Sequence, residues 1–98
     1  MKDFQFLIYK SSEEDVSVNA IIKDESIWLT QKAMAELFDC STDNISLHLK
    51  NIFAEGELIK ESVTEKFSVT ANDGKNYNTQ FYSLDAIISV GIWIWHIQ

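Results

Sequence analysis

The side chains best suited to chemistry lie between positions 42 and 51. Thr42, Asn44, Ser46, Leu47, Lys50 and Asn51 fall off the apolar stripe formed by Ile45, Leu49, Ile52 and Phe53. A helix here would therefore turn them toward solvent. Hydroxyls and carboxamides can reach base edges, and asparagine can pair adenine through two hydrogen bonds. Lysine can hold a phosphate. The same residue types are also ordinary choices near a solvent-facing helix start, so spacing alone leaves both readings open.

Other chemistry finds less support. His48 and His96 are far apart and lack a cysteine or carboxylate at metal-ligand spacing, so both read as surface histidines. Cys40 reads as a small buried residue, and Glu55, Glu57, Glu61 and Glu65 as a solvated face. No glycine-rich phosphate loop or serine nucleophile motif occurs, so neither an enzyme nor a cofactor or metal is expected. Trp28, Trp93 and Trp95 read as core or interface, because a stacking platform for single strands needs a basic groove beside it.

The elements that must position the 42–51 segment follow from capping and periodicity. Thr30 is a good N-cap for a helix with Ala33, Met34, Leu37 and Phe38 on one stripe. Asp39 and Cys40 interrupt it, and Ser41 caps the second helix, which ends at Glu55-Gly56-Glu57. Two short helices around a tight turn make a helix-turn-helix, with Ala35 allowing close crossing and Ile45 as the buried anchor. Asp39 stands where glycine is commonest, and aspartate tolerates the left-handed geometry. Before this unit, Phe4 to Ile8, the alternating Val16, Val18, Ala20 and Ile22, and Ile27 to Leu29 read as strands, with turns at Ser11–Asp15 and Lys23–Ser26. After it, Lys66 to Thr70 and Tyr77 to Tyr82 flank the turn Asn72-Asp73-Gly74-Lys75, a wing-like hairpin. Lys75 and Asn76 stand at its tip and Lys66 at its base. Ser83 caps a final helix carrying the apolar Leu84, Ile87, Ile88 and Val90, with Gly91 marking its end.

Composition bounds these readings. Ninety-eight residues, 46% hydrophobic and 23% charged, suit one globular domain. No stretch is long or apolar enough to span a membrane, and the 4–9 run is too short for a signal sequence. A single cysteine fits a reducing compartment, so a cytoplasmic location is expected. Charge points the other way from the architecture. The net is −7, and all eight basic residues are lysine. Proteins that grip phosphates usually present a basic face, and arginine is the usual reader of guanine.

From Ile27 to Gly91 the chain resembles the RhuM virulence-protein family. The resemblance rests on Trp28-Leu29-Thr30-Gln31, Met34-Ala35-Glu36-Leu37-Phe38, Ile45-Ser46 and Asn51-Ile52-Phe53-Ala54-Glu55-Gly56-Glu57-Leu58. Glu61-Ser62-Val63, Asp73-Gly74-Lys75 and the run from Tyr82 to Gly91 extend it. It implies a bacterial protein, often encoded near mobile elements or restriction-modification genes, with a DNA-binding winged-helix region. The chain departs from that pattern in two places. Asp43 and Leu47 stand where the family carries basic residues. After Gly91 the family's basic, arginine-containing continuation is replaced by Ile92-Trp93-Ile94-Trp95-His96-Ile97-Gln98, as in a truncated or frame-shifted copy.

The expectation is thus an α+β, winged-helix-like domain over residues 1–98: an N-terminal antiparallel β unit, helix-turn-helix, wing-like hairpin and short helix, with 92–98 a divergent apolar tail. The expected function is weak or partner-assisted binding of duplex DNA through Gln31, Lys32, Thr42, Asn44, Ser46, Leu47, Lys50, Lys75 and Asn76. The alternative is a protein-interaction module that keeps the fold without DNA affinity. Ile92, Trp93, Ile94, Trp95 and Ile97 are the expected contacts to a protein partner or a second copy.

Overall fold

The computed structural model describes the backbone of residues 3–9, 15–70 and 73–96, and side chains within 20–70 and 73–95. The elements run β1 (Asp3–Tyr9), β2 (Asp15–Lys23), β3 (Ser26–Trp28), α1 (Gln31–Phe38), α2 (Thr42–Ala54), α3 (Lys60–Val63), β4 (Thr64–Thr70), β5 (Asn76–Tyr82) and α4 (Leu84–His96). The chain is α+β, and this order is compatible with a small winged-helix-like fold. The expected turn at 11–14, Asn72 of the hairpin turn, and Ile97 lie outside the described residues.

β1, β2 and β3 form an antiparallel sheet with β2 central. Lys23 pairs Ser26 across Asp24 and Glu25, whose φ angles of 55° and 59° suit a two-residue type I′ turn. The period-two expectation for β2 needs correcting at its end. Ala20 and Ile21 are both buried, while Ile22 is exposed. The strand is covered on both faces: Ala20 joins the helical core, and Ile21 joins Trp28, Phe67 and Phe81 in a second cluster. Phe67 sits edge-on to Trp28 and to Phe81, with ring centroids 5.8 and 5.3 Å apart. That aromatic cluster fastens the β4–β5 hairpin to the N-terminal sheet.

The helix-turn-helix forms as its caps predict. The Thr30 hydroxyl accepts from the Ala33 amide at 3.0 Å, and the Ser41 hydroxyl from the Asn44 amide at 3.1 Å. Asp39 is left-handed at φ 57°, and the next amide, Cys40, donates back to the Ala35 carbonyl. Gly56 does the same for α2 at φ 76°, with Glu57 donating to Ile52. Both are Schellman closures that satisfy carbonyls the helix end would orphan. Met34, Ile45, Leu49, Ile52 and Val90 meet in the centre with 2% exposure or less.

Three features of the fold depart from the sequence reading. The turn of helix at α3 was not foreseen; it is held by the buried Val63 and by the Thr64 hydroxyl donating to the Lys60 carbonyl. α4 does not stop at Gly91 but continues to His96. A Cβ at Gly91 would lie 3.1–3.2 Å from the Phe38 ring, so glycine here permits close packing against α1 rather than ending the helix. The inward face of α4 is Ala86, Ile87 and Val90, whereas Leu84 and Ile88 are exposed. Ser83 holds the N-cap position, its carbonyl accepting from Ile87, but the Leu84 amide is met by the Ser26 hydroxyl.

Ile45 is 0% exposed between α1 and α2. Truncation there removes buried methyl groups and leaves a cavity that the packed helices collapse only partly. Ile45→Ala is expected to lower stability by about 2–4 kcal/mol, read from chemical denaturation. An unchanged midpoint would show that this position is not an anchor.

Candidate nucleic-acid interface

Ile45, Leu49 and Ile52 take the inner face of α2, which leaves Thr42, Asp43, Ser46, Leu47 and Lys50 on its exposed face. Asn44 is exposed to the flank of that row, and Asn51 is half-buried. The Leu47 side chain is 54% exposed, a large apolar group among polar neighbours.

Beside Ser46 and Lys50 opens a cleft of about 300 Å³, lined by Gln31, Ser46, Leu49, Lys50, Phe53, Lys60 and Tyr82. Three of the nine expected site residues, Gln31, Ser46 and Lys50, therefore converge. Gln31 is fixed from below: its amide donates to the Tyr82 hydroxyl at 2.9 Å, as does that of Gln80, and Tyr82 is 4% exposed. The lining contains two ammonium groups, a carboxamide and two hydroxyls, and no carboxylate. Such a set favours an anion. Lys60 and Tyr82 are members that sequence reading missed. Lys60 comes from α3, the one-turn helix without periodicity, and Tyr82 arrives from the hairpin 51 positions after Gln31.

The remaining expected residues lie elsewhere. Lys32 lines a different cavity, of about 400 Å³, together with Glu36, Thr30 and Thr70. Lys75 and Asn76 are exposed at the hairpin end. Asn76 is engaged locally, its side-chain oxygen accepting from the Thr70 hydroxyl at 2.7 Å. The tip is ordered by Asp73, whose carboxylate accepts from the Lys75 amide at 2.9 Å and the Tyr77 hydroxyl at 2.8 Å. Gly74 takes the positive φ, 83°.

Electrostatics divide the lysines. Lys23 is neutralised: Glu65 bonds its ammonium, and that bond holds its pKa above the ordinary lysine value. No described carboxylate lies within 4.0 Å of Lys32, Lys50, Lys60, Lys66 or Lys75. Residues 31–63 nevertheless carry three lysines against six carboxylates, a net of −3. The positive character is local to the cleft, and Asp43 sits on the exposed row of α2 itself.

His48 corrects another expectation. It is not a surface histidine but half-buried against Trp93, with ring centroids 6.3 Å apart and Nδ1 lacking a partner among the described residues. Trp93 donates in turn to Glu57 at 3.2 Å. No group of three metal-ligating side chains occurs among the described residues. No described helix is long and apolar enough to cross a membrane. Comparison with protein-family models, curated proteins and solved structures finds no match.

The Asp73 contacts generate a titration test. The Lys75 amide and then the Tyr77 hydroxyl lower the Asp73 pKa below 3.8, while Tyr77 is raised above 10.0. A carboxylate with a depressed folded pKa orders the tip above its unfolded pKa, and that order is lost as pH falls through the folded value. Carbon-detected NMR should find Asp73 titrating below pH 3.8, and Tyr77→Phe should move it only part-way back, since the Lys75 amide remains. An ordinary or raised Asp73 pKa would refute this tip geometry.

Proposed function

We propose that this chain binds duplex DNA weakly or with a partner's help, with α2 toward the major groove and the adjoining cleft on a backbone phosphate. The observation that carries this reading is the convergence of Gln31, Ser46, Lys50 and Lys60 in one carboxylate-free concavity beside the exposed face of α2. Phosphate contacts fix register without reading sequence, which is the part suited to Lys50 and Lys60. Thr42 and Ser46 supply hydrogen-bonding groups for base edges, Asn44 flanks them, and Leu47 offers apolar contact to a thymine methyl. Lys75 at the hairpin tip would touch the backbone further along. The resemblance to the RhuM family points the same way, and a cytoplasmic location, read from the single cysteine, is compatible with it.

Magnitude sets the strength. Sequence-independent affinity grows with the number of phosphates neutralised. Here two lysines lie in the cleft and one at the hairpin tip, with Asp43 repelling phosphate from the same helix face. Binding at physiological salt should be weak. A second reading, an interaction module that has kept the fold without DNA affinity, is favoured by the six carboxylates of residues 31–63.

Fluorescence anisotropy with a labelled duplex at low salt tests the assignment. Lys50→Gln and Lys60→Gln should each weaken binding about fivefold and lower the salt slope by about one. Lys66→Gln, on the hairpin away from the cleft, should change little. Equal effects at all three positions would mean diffuse attraction, and no binding by the folded wild-type chain would favour the interaction module.

A further inference from the structure

The continuation of α4 through Gly91 turns what reads as a tail into a helix face. Leu84, Ile88, Ile92 and Trp95 are exposed by 38, 51, 54 and 70%. At roughly 100° per residue they fall within about 80° of arc, one straight row along the helix. Trp93 and Ile94, expected to join an interface, instead pack inward against the core. Among the described residues, the other large exposed apolar side chains, Ile22, Leu47, Ile59 and Tyr77, stand apart from α4 and from one another in sequence. Isolated apolar side chains are normal on a surface, but a contiguous row marks a contact.

We infer that this row is a homodimer interface, occupied by α4 of a second copy running antiparallel. Two observations select that occupant, and the exposed area sets the strength. The row is nearly palindromic: in antiparallel register Leu84 faces Trp95 of the second copy and Ile88 faces Ile92, so every large side chain meets another. An isologous contact requires such self-complementarity. Charge selects the same face. A chain of net −7 repels its own copy, yet no side chain between Asp85 and His96 ionises, so copies approach here without burying charge. Area also fits. The row exposes on the order of 400 Å², the scale of the largest patch on an ordinary monomer. Two copies would cover roughly 800 Å² before flanking contacts, toward the ~1,200 Å² at which stable pairs begin. The association is accordingly weak. This inference does not rest on DNA binding, because α2 packs on the opposite side of α4.

Sedimentation equilibrium across the micromolar range tests it. The wild-type mass should rise from one copy to two. Ile88→Glu and Ile92→Lys should each be monomeric with unchanged melting temperatures, since both positions are exposed. Mixed, these two variants should regain a heterodimer, because residue 88 of one faces residue 92 of the other. A wild-type chain still monomeric at high micromolar concentration, leaving the face to an unlike partner, overturns the inference. So does a dimer that survives Ile88→Glu. A mixture that stays monomeric overturns the antiparallel pairing.

Discussion

Two backbone hydrogen bonds between Leu29 and Tyr82, at 3.0 and 2.7 Å, hold together parts of this fold that lie far apart in sequence. Leu29 leads into the Thr30 cap and the start of α1; Tyr82 leads into Ser83 and the start of α4. Pairing them sets both helix origins at once. The neighbouring bonds reinforce the same junction: Ser83 donates to Val63, the Leu84 amide to the Ser26 hydroxyl, and Gln31 to the Tyr82 hydroxyl. Such bonds contribute only about 1 kcal/mol each net, but an unpaired buried backbone group costs more than that, so the alternatives are penalised. The cleft beside α2 follows from this junction, because Gln31 and Tyr82 form its floor.

Charge is the second constraint, and it opposes the first. The fold offers a helix-turn-helix frame, while the surface carries nearly two carboxylates for every lysine. A surface of this sign raises the cost of approaching any polyanion to within the Debye distance, roughly 8 Å at physiological salt, and is largely screened beyond it. At contact range the local set dominates. Lys50 and Lys60 share a wall with no carboxylate, and Lys23, which Glu65 neutralises, contributes nothing. On the proposed reading, the molecule would hold a phosphate already nearby better than it would attract one from a distance. Pairing two copies would double the contacts and offset part of that deficit by raising the effective concentration of the second site.

What was legible in the sequence was local. Thr30, Ser41, Asp39 and Gly56 mark helix ends through bonds spanning three to five residues, and each takes the geometry its type suggests. Ile45 and Leu49 were legible as a core stripe because helical period fixes their face. Most of the misses were long-range. Gly91 reads as a stop until Phe38, 53 positions earlier, is seen to need the space. Ile21 reads as the outward residue of an alternating strand until the hairpin covers it with Phe67 and Phe81. Lys60 belongs to a turn of helix too short to show a period, so the cleft was only half visible.

The measurement closest to the central claim is the salt dependence of duplex binding by the intact chain. Each neutralised phosphate contributes about −0.9 to the slope of log affinity against log salt. With Lys50, Lys60 and Lys75 engaged, that slope should be about −3, and affinity at physiological salt should be weak. A slope near −8, or nanomolar binding at physiological salt, would require a phosphate-binding surface that these lysines do not provide. Either result would contradict the account.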